Sequence, residues 1–216
     1  MHIGVDEAGR GPVLGSMFVG AVGVPDSDML PVEITDSKQL SAAKREQLAE
    51  TIQDDPRIVT TVVEVSVETI DAMAGRLNHL TAQRFGAAIS NVIDPAQPVE
   101  TVIVDACDPN VDRFASAVGQ ALPDSIDIDA HHGADESSSV VGAASIVAKV
   151  ARDAHMSSLG TTYGDIGSGY PSDPTTRTFL STYVEEHGRL PGCARKSWRT
   201  SRDAMAAHTQ GTLSSF

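Results

Sequence analysis

Gly4-Val5-Asp6-Glu7-Ala8-Gly9-Arg10-Gly11-Pro12 sets two adjacent carboxylates at the end of a short apolar run and follows them at once with a glycine-rich turn. An Asp after one apolar strand is ordinarily a turn or helix-cap residue. Asp6 and Glu7 depart from that pattern, because they interrupt the apolar stretch where Gly9 and Gly11 let the backbone come close to something else. Regular strand geometry aims neighbouring side chains at opposite faces. The pair therefore predicts a strand over 2–6 with Glu7 at its broken end, its side chain swinging back beside Asp6. Asp105 and Asp135 sit at the ends of later apolar stretches and bring the carboxylates to four. Such a cluster repels itself unless divalent cations neutralise it, and hard oxygen ligands with little nitrogen or sulfur suit magnesium or manganese. Two such ions support phosphoryl transfer, activating water on one side of a phosphodiester and stabilising the leaving oxygen on the other.

A chain of 216 residues can bury one sizeable core. No window approaches the roughly 20 apolar residues of a membrane span, and Met1-His2-Ile3 leads straight into the first motif without a leader, so a soluble, cytoplasmic protein is expected. Cys107 and Cys193 lack metal or redox spacing and read as reduced thiols. The net charge of −13 argues at first against a nucleic-acid partner, whose phosphates are usually met by Lys and Arg. Only Lys38, Lys44, Lys149 and Lys196 are lysines, however, while Asp outnumbers Glu and small residues are plentiful. That is a surface suited to molar salt, where screening shortens to about 3 Å and self-repulsion is suppressed; an ordinary acidic cytosolic enzyme is the alternative.

Hydrophobic patterning predicts strands over 2–6, 13–24, 58–65, 101–105 and 125–130. Helices are expected from Ser41 as N-cap and over 76–93, 140–155, 174–187 and 198–207. The small residues Ala143, Ala144 and Ala148 predict close packing of the fourth-carboxylate helix. Strands first, then alternation, then helices imply an α/β fold: a mixed five-stranded sheet with helices on both faces and a C-terminal helical part.

These motifs, with Asp36-Ser37-Lys38, Val104-Asp105, Ala143-Ala144-Ser145-Ile146-Val147-Ala148-Lys149-Val150, Gly167-Ser168-Gly169-Tyr170-Pro171 and Ser197-Trp198 in that order, resemble ribonuclease HII in its archaeal form. The resemblance implies a ribonuclease H-like domain over 1–165, a helical substrate-binding part over 166–208 and a tail over 209–216. It implies cleavage of RNA in RNA–DNA hybrids and at single ribonucleotides in duplex DNA, leaving 3′-hydroxyl and 5′-phosphate ends, by a monomer. Asp6, Glu7, Asp105 and Asp135 match the family's catalytic carboxylates, which hold two ions of Mg2+ or Mn2+. Gly9, Arg10 and Gly11 match the turn whose backbone meets the ribose 2′-hydroxyl. Tyr170 matches the tyrosine that stacks on the next sugar, and Lys38 and Lys149 are read as phosphate contacts or supports of the metal ligands. Arg45 reads as a solvated helix residue, His132 as a loop histidine, and Asp108 and Asp129 as loop caps. Around Asp135 the chain departs from the family pattern, with His131-His132-Gly133-Ala134 before it, and Glu136 stands as a neighbouring competitor for the ligand role.

At the C-terminus, Gln210, Leu213 and Phe216 have the spacing of a sliding-clamp binding box with one terminal aromatic instead of two. A frayed terminus is the plainer reading of the same residues. Two other functions fit parts of the pattern. A related polynucleotidyl transferase would share the carboxylates but lack the glycine turn and Tyr170, and a non-catalytic clamp adaptor would leave the carboxylates unexplained.

Overall fold

Five strands form one mixed sheet in the order β3-β2-β1-β4-β5, with β1 His2–Ala8, β2 Met17–Val24, β3 Val59–Val65, β4 Thr101–Asp105 and β5 Asp129–His131. The computed structural model describes residues 1–31, 33, 34 and 40–213, the side chains beyond Gln210 excepted. β2 pairs antiparallel with both β1 and β3, whereas β4 pairs parallel with both β1 and β5. The helices are α1 Ala42–Asp54, α2 Val67–Ala72, α3 Leu77–Val92, α4 Val111–Gly119, α5 Ala134–Ser137, α6 Ser139–Tyr163, α7 Pro174–His187 and α8 Arg199–Leu213. The expected α/β architecture of five strands with flanking helices is what the chain adopts.

Strand alternation sorts β1 and β2 between two cores. Ile3, Val5, Val19 and Ala21 pack with Phe85 and Ile89 of α3 and Phe114 of α4. Val22 and Val24 pack with Leu48 and Ile52 of α1 and with Ala143, Ala144 and Val147 of α6. The small face of α6 lies flat on the sheet, as its alanines predict. A Cβ added at Gly20 would stand 2.4 Å from the Ala144 carbonyl oxygen, so the close approach requires glycine there. Ser41 caps α1 as expected, its hydroxyl accepting from the Lys44 amide at 3.3 Å.

Several boundaries differ from the sequence reading. Residues 13–16 are not strand: Gly15 has φ +81°, and Val13 and Leu14 donate to the Gly169 carbonyl instead of to a neighbouring strand. The strand expected over 125–130 shrinks to β5, because Ile126 closes a turn onto the Pro123 carbonyl. α6 and α8 both outrun their expected ends. In α8 no proline or charge cluster stops the helix, Ala206 and Ala207 favour it, and Thr209 bonds back to the Met205 carbonyl at 3.0 Å. Gln210 and Leu213 therefore stand on a helix, not on the tail expected over 209–216. Phe216, Lys38 and the Asp36-Ser37-Lys38 motif lie outside the described residues.

Candidate active site

The β1–β2 ladder does not break at Asp6. It continues through Asp6↔Gly20, Glu7↔Val19 and Ala8↔Phe18, whereas pairing of β1 with β4 stops at Val5↔Val104. The expectation that Glu7 lies at a broken strand end is thus overturned, since β2 holds the pleat and keeps Asp6 and Glu7 on opposite faces. Past Val5, β1 is paired on one side only, and the two carboxylates flank an open strand edge. Asp105 ends β4 beside that edge, where its Oδ1 accepts from the Ala134 amide at 3.0 Å and so fixes the start of α5. α5 then supplies Asp135, which is 3% exposed, while Glu136 is exposed. The geometry brings Asp135, not its neighbour, to the other carboxylates.

Their closeness is written in the proton affinities. Burial raises Asp6 to about 7, with repulsion from Asp105 and Asp135 adding to it and the Ser145 hydroxyl and Glu7 amide opposing it. Burial raises Glu7 to about 8, with Asp6 and Asp105 adding and Arg10 opposing. The Glu7 Oε2 atom is buried without a hydrogen-bond partner. Among the described residues no three of these side chains already converge on one point in a metal-ligating group. An all-oxygen donor set with a buried, unsatisfied carboxylate oxygen and mutual repulsion nevertheless fits a hard divalent cation, which would draw the side chains together.

Beside Glu7 opens a groove of about 450 Å³, bounded by the turn 9–11 and by Arg45, Lys149, Arg152 and Tyr170. Four of the chain's 16 Lys and Arg residues, Arg10, Arg45, Lys149 and Arg152, line it. Lys149 Nζ stands 4.0 Å from Asp135 Oδ2. Arg45, expected to be solvated, instead reaches across to Asp153 at 3.1 Å and donates to the Leu40 carbonyl at 2.7 Å. Tyr170 is 40% exposed, and a Cβ on Gly11 would lie 3.4 Å from its ring. The Arg152 guanidinium sits 5.4 Å from the centre of that ring and also bonds the Ser168 carbonyl. Gly9 adopts φ +81°, a conformation other residues reach only with strain. The Arg10 side chain is held by Asn78, which donates to Asp108 at 2.8 Å.

His132 behaves as a loop residue, its Nδ1 paired with the Ala106 carbonyl at 2.8 Å. Asp108 organises its loop, accepting from the Asn110 amide at 2.9 Å and from Arg113, and Asp129 lies exposed in β5. Sequence reasoning did not single out Arg152 or Arg195. Arg195 is fully buried beneath the turn, and no local periodicity marks a residue whose partners lie about 180 positions away.

The described geometry has counterparts among known proteins. The family model for ribonuclease HII matches residues 3–201. The chain belongs to the ribonuclease HII family. It is 50% identical to a ribonuclease HII of Haloarcula marismortui over the whole of both chains, which agrees with a salt-adapted surface. The structure of ribonuclease H2 from Pyrococcus horikoshii OT3 matches with a TM-score of 0.88 at 35% identity, covering 97% of this chain and 99% of that one. A second match, with a TM-score of 0.82 at 36% identity over 94% and 96% of the two chains, is the structure of the PCNA:RNase HII complex from Archaeoglobus fulgidus. The chain is therefore a ribonuclease H, an endonuclease of the class that acts on RNA–DNA hybrids and uses divalent metal. No helix among the described residues is long and apolar enough to cross a membrane.

A ribonuclease HII with these carboxylates should show a linked dependence on pH and metal. Asp6 and Glu7 have folded-state affinities raised above their ordinary values of 3.8 and 4.5. Their contribution to stability is complete below those values and is lost as pH rises through about 7 and 8. A divalent cation favours the charged forms and reverses the loss. The melting temperature of the metal-free enzyme should fall between pH 6 and pH 9, and added Mg2+ should raise it more at pH 9 than at pH 5. Equal metal-induced shifts at both pH values in differential scanning fluorimetry would contradict the assignment.

Proposed function

We propose that the enzyme cleaves the RNA strand of RNA–DNA hybrids and duplex DNA at a single embedded ribonucleotide, by two-metal-ion hydrolysis that leaves 3′-hydroxyl and 5′-phosphate ends. The observation that carries this reading is the groove that runs from Glu7, whose carboxylate feels the charges of Asp6 and Asp105, to a glycine turn faced by Tyr170. Asp6, Glu7, Asp105 and Asp135 would hold two divalent cations, Mg2+ or Mn2+, which supply the Lewis acidity that activates water and stabilises the leaving oxygen. The backbone of Gly9, Arg10 and Gly11 meets the ribose 2′-hydroxyl, and Tyr170 stacks on the neighbouring sugar. Lys149, Arg45 and Arg152 meet the phosphates, with Lys38 in the same role. In this reading residues 1–165 form the catalytic domain, and 166–208 form a helical part that brings Tyr170 to the groove. Cleavage of labelled duplex DNA containing one ribonucleotide, beside an all-DNA control, tests the proposal. A related polynucleotidyl transferase would cut both, and an adaptor neither.

The C-terminus is proposed to tether the enzyme to a sliding clamp through Gln210, Leu213 and Phe216. The relative from Archaeoglobus fulgidus described in complex with PCNA supports this reading. Burial of one Leu and one Phe is worth roughly 1.5–3 kcal/mol each before ordering costs, so affinity should be micromolar at best, and weaker unless main-chain contacts add to it. The anchor is apolar, and binding should survive molar salt. Deleting residues 209–216 should leave intrinsic cleavage unchanged and abolish clamp binding. Calorimetry with the organism's clamp at low and molar salt checks this, and absence of binding by the full chain at both salts rejects the tether.

A further inference from the structure

Arg195 is a fully buried cation, and among the described residues no carboxylate forms an ion pair with it. Its guanidinium instead donates to three carbonyls of one short segment: Nε to Gly15 at 2.9 Å, Nη1 to Arg10 at 2.8 Å and Nη2 to Gly9 at 2.5 Å. Its own amide donates to the Val13 carbonyl at 2.9 Å. Trp198, whose ring lies 4.8 Å under the guanidinium carbon, donates Nε1–H to the Gly11 carbonyl at 3.1 Å. Residues 195–198 thus take the carbonyls of Gly9, Arg10, Gly11, Val13 and Gly15.

A trans peptide unit points its C=O and its N–H in opposite directions, and no peptide bond here is cis. The Gly9 carbonyl shares a peptide unit with the Arg10 N–H, and the Arg10 carbonyl shares one with the Gly11 N–H. Drawing those two carbonyls inward to Arg195 turns the two N–H groups outward, on the side where residues 9–11 line the groove. The arginine fork is planar with fixed donor directions, so it sets the tilt of both peptide units together; a lysine ammonium offers donors from one atom and cannot reproduce that spread. The fork itself is held in place by the next residues, because Asp71 of α2 accepts from the Lys196 amide at 2.9 Å and from the Ser197 amide at 2.9 Å and hydroxyl at 2.6 Å.

We propose that Arg195 is a positioning residue for ribose recognition: from beneath the turn it aims the Arg10 and Gly11 amides at the 2′-hydroxyl, with Trp198 fixing Gly11. This rests on the reading above that the turn meets the ribose. It extends that reading by assigning the C-terminal part a role in discriminating RNA from DNA, in addition to carrying Tyr170.

The test uses the full enzyme with Mg2+, a duplex containing one ribonucleotide as substrate and an all-DNA duplex of the same sequence as competitive inhibitor. The competitor offers every phosphate contact but no 2′-hydroxyl. Arg195→Lys should lower kcat/KM on the substrate by about 100-fold, the loss of two aimed hydrogen bonds at roughly tenfold each. The inhibition constant of the all-DNA duplex should stay within about twofold of wild type, because phosphate contacts do not pass through the turn. Trp198→Phe keeps an aromatic face under the guanidinium, removes one donor and should show a smaller loss with the same selectivity; it carries the test if Arg195→Lys does not fold. Equal weakening of substrate and competitor in a folded variant overturns the positioning role and leaves the ribonucleotide reading intact. A wild-type enzyme that cuts the all-DNA duplex as readily overturns that reading, and the role with it.

Discussion

Replacing Asp6 or Asp105 by Asn should lower cleavage by on the order of 10³-fold or more, since in the proposed mechanism each change removes a full charge from the site that holds the ions. The fold should survive. Asp6 is buried and disfavours its own charged form, with Asp105 and Asp135 adding to the repulsion. A neutral isostere there relieves that repulsion, so the metal-free Asp6→Asn protein should melt no lower than wild type at pH 9 and should lose the metal-induced rise in melting temperature. Asp135→Asn should be severely impaired, whereas Glu136→Gln should cut normally, because Asp135 is 3% exposed and Glu136 faces solvent. Near wild-type rates with Mg2+ in Asp6→Asn and Asp105→Asn would sink the two-ion assignment. An inactive Glu136→Gln beside an active Asp135→Asn would move the fourth ligand by one residue.

The parts of this molecule that were legible in sequence are those whose physics is local. A run such as Thr101–Val104 ending in Asp105 announces a buried strand with a carboxylate at its tip, and Ser41 announces a helix start three residues before the amide it accepts from. Alanines 143, 144 and 148 told of close packing, although not that Gly20 was the surface they met. What could not be read is what depends on pairing across the chain. Glu7 was expected to break from the strand because the side-chain period forbids two neighbours on one face. The structure keeps that period and solves the problem differently, ending the β4 partner early so that both faces border one open edge. Residues 13–16 have strand composition but are taken out of the sheet by Gly169, Cys193 and Arg195, all of which lie in the C-terminal part. Arg45 looked solvated because nothing in its own helix shows that Asp153 of α6 stands opposite.

The same dependence on distant support bears on substrate choice, where the second large effect is expected. A site built to hydrogen-bond a hydroxyl leaves its donors unpaired when the hydroxyl is missing, and it rejects the analogue by a factor on the order of 10⁴. The all-DNA duplex should therefore go essentially uncut at enzyme concentrations that consume the single-ribonucleotide substrate within minutes. Tyr170 should sharpen this further at an isolated ribonucleotide. Its ring is exposed, a Cβ on Gly11 would come within 3.4 Å of it, and the Arg152 guanidinium stands 5.4 Å from its centre, so in the proposed reading it offers a flat face to whatever follows the ribose. In a long hybrid the enzyme can bind in many registers, and weak stacking in one of them costs little. At a single ribonucleotide only one register is productive. Tyr170→Ala should accordingly depress cleavage of the embedded ribonucleotide more than cleavage of a long hybrid, measured as kcat/KM on end-labelled duplexes of equal length. Equal loss on the two substrates would make Tyr170 a packing residue and would shift the recognition of the junction onto the turn alone.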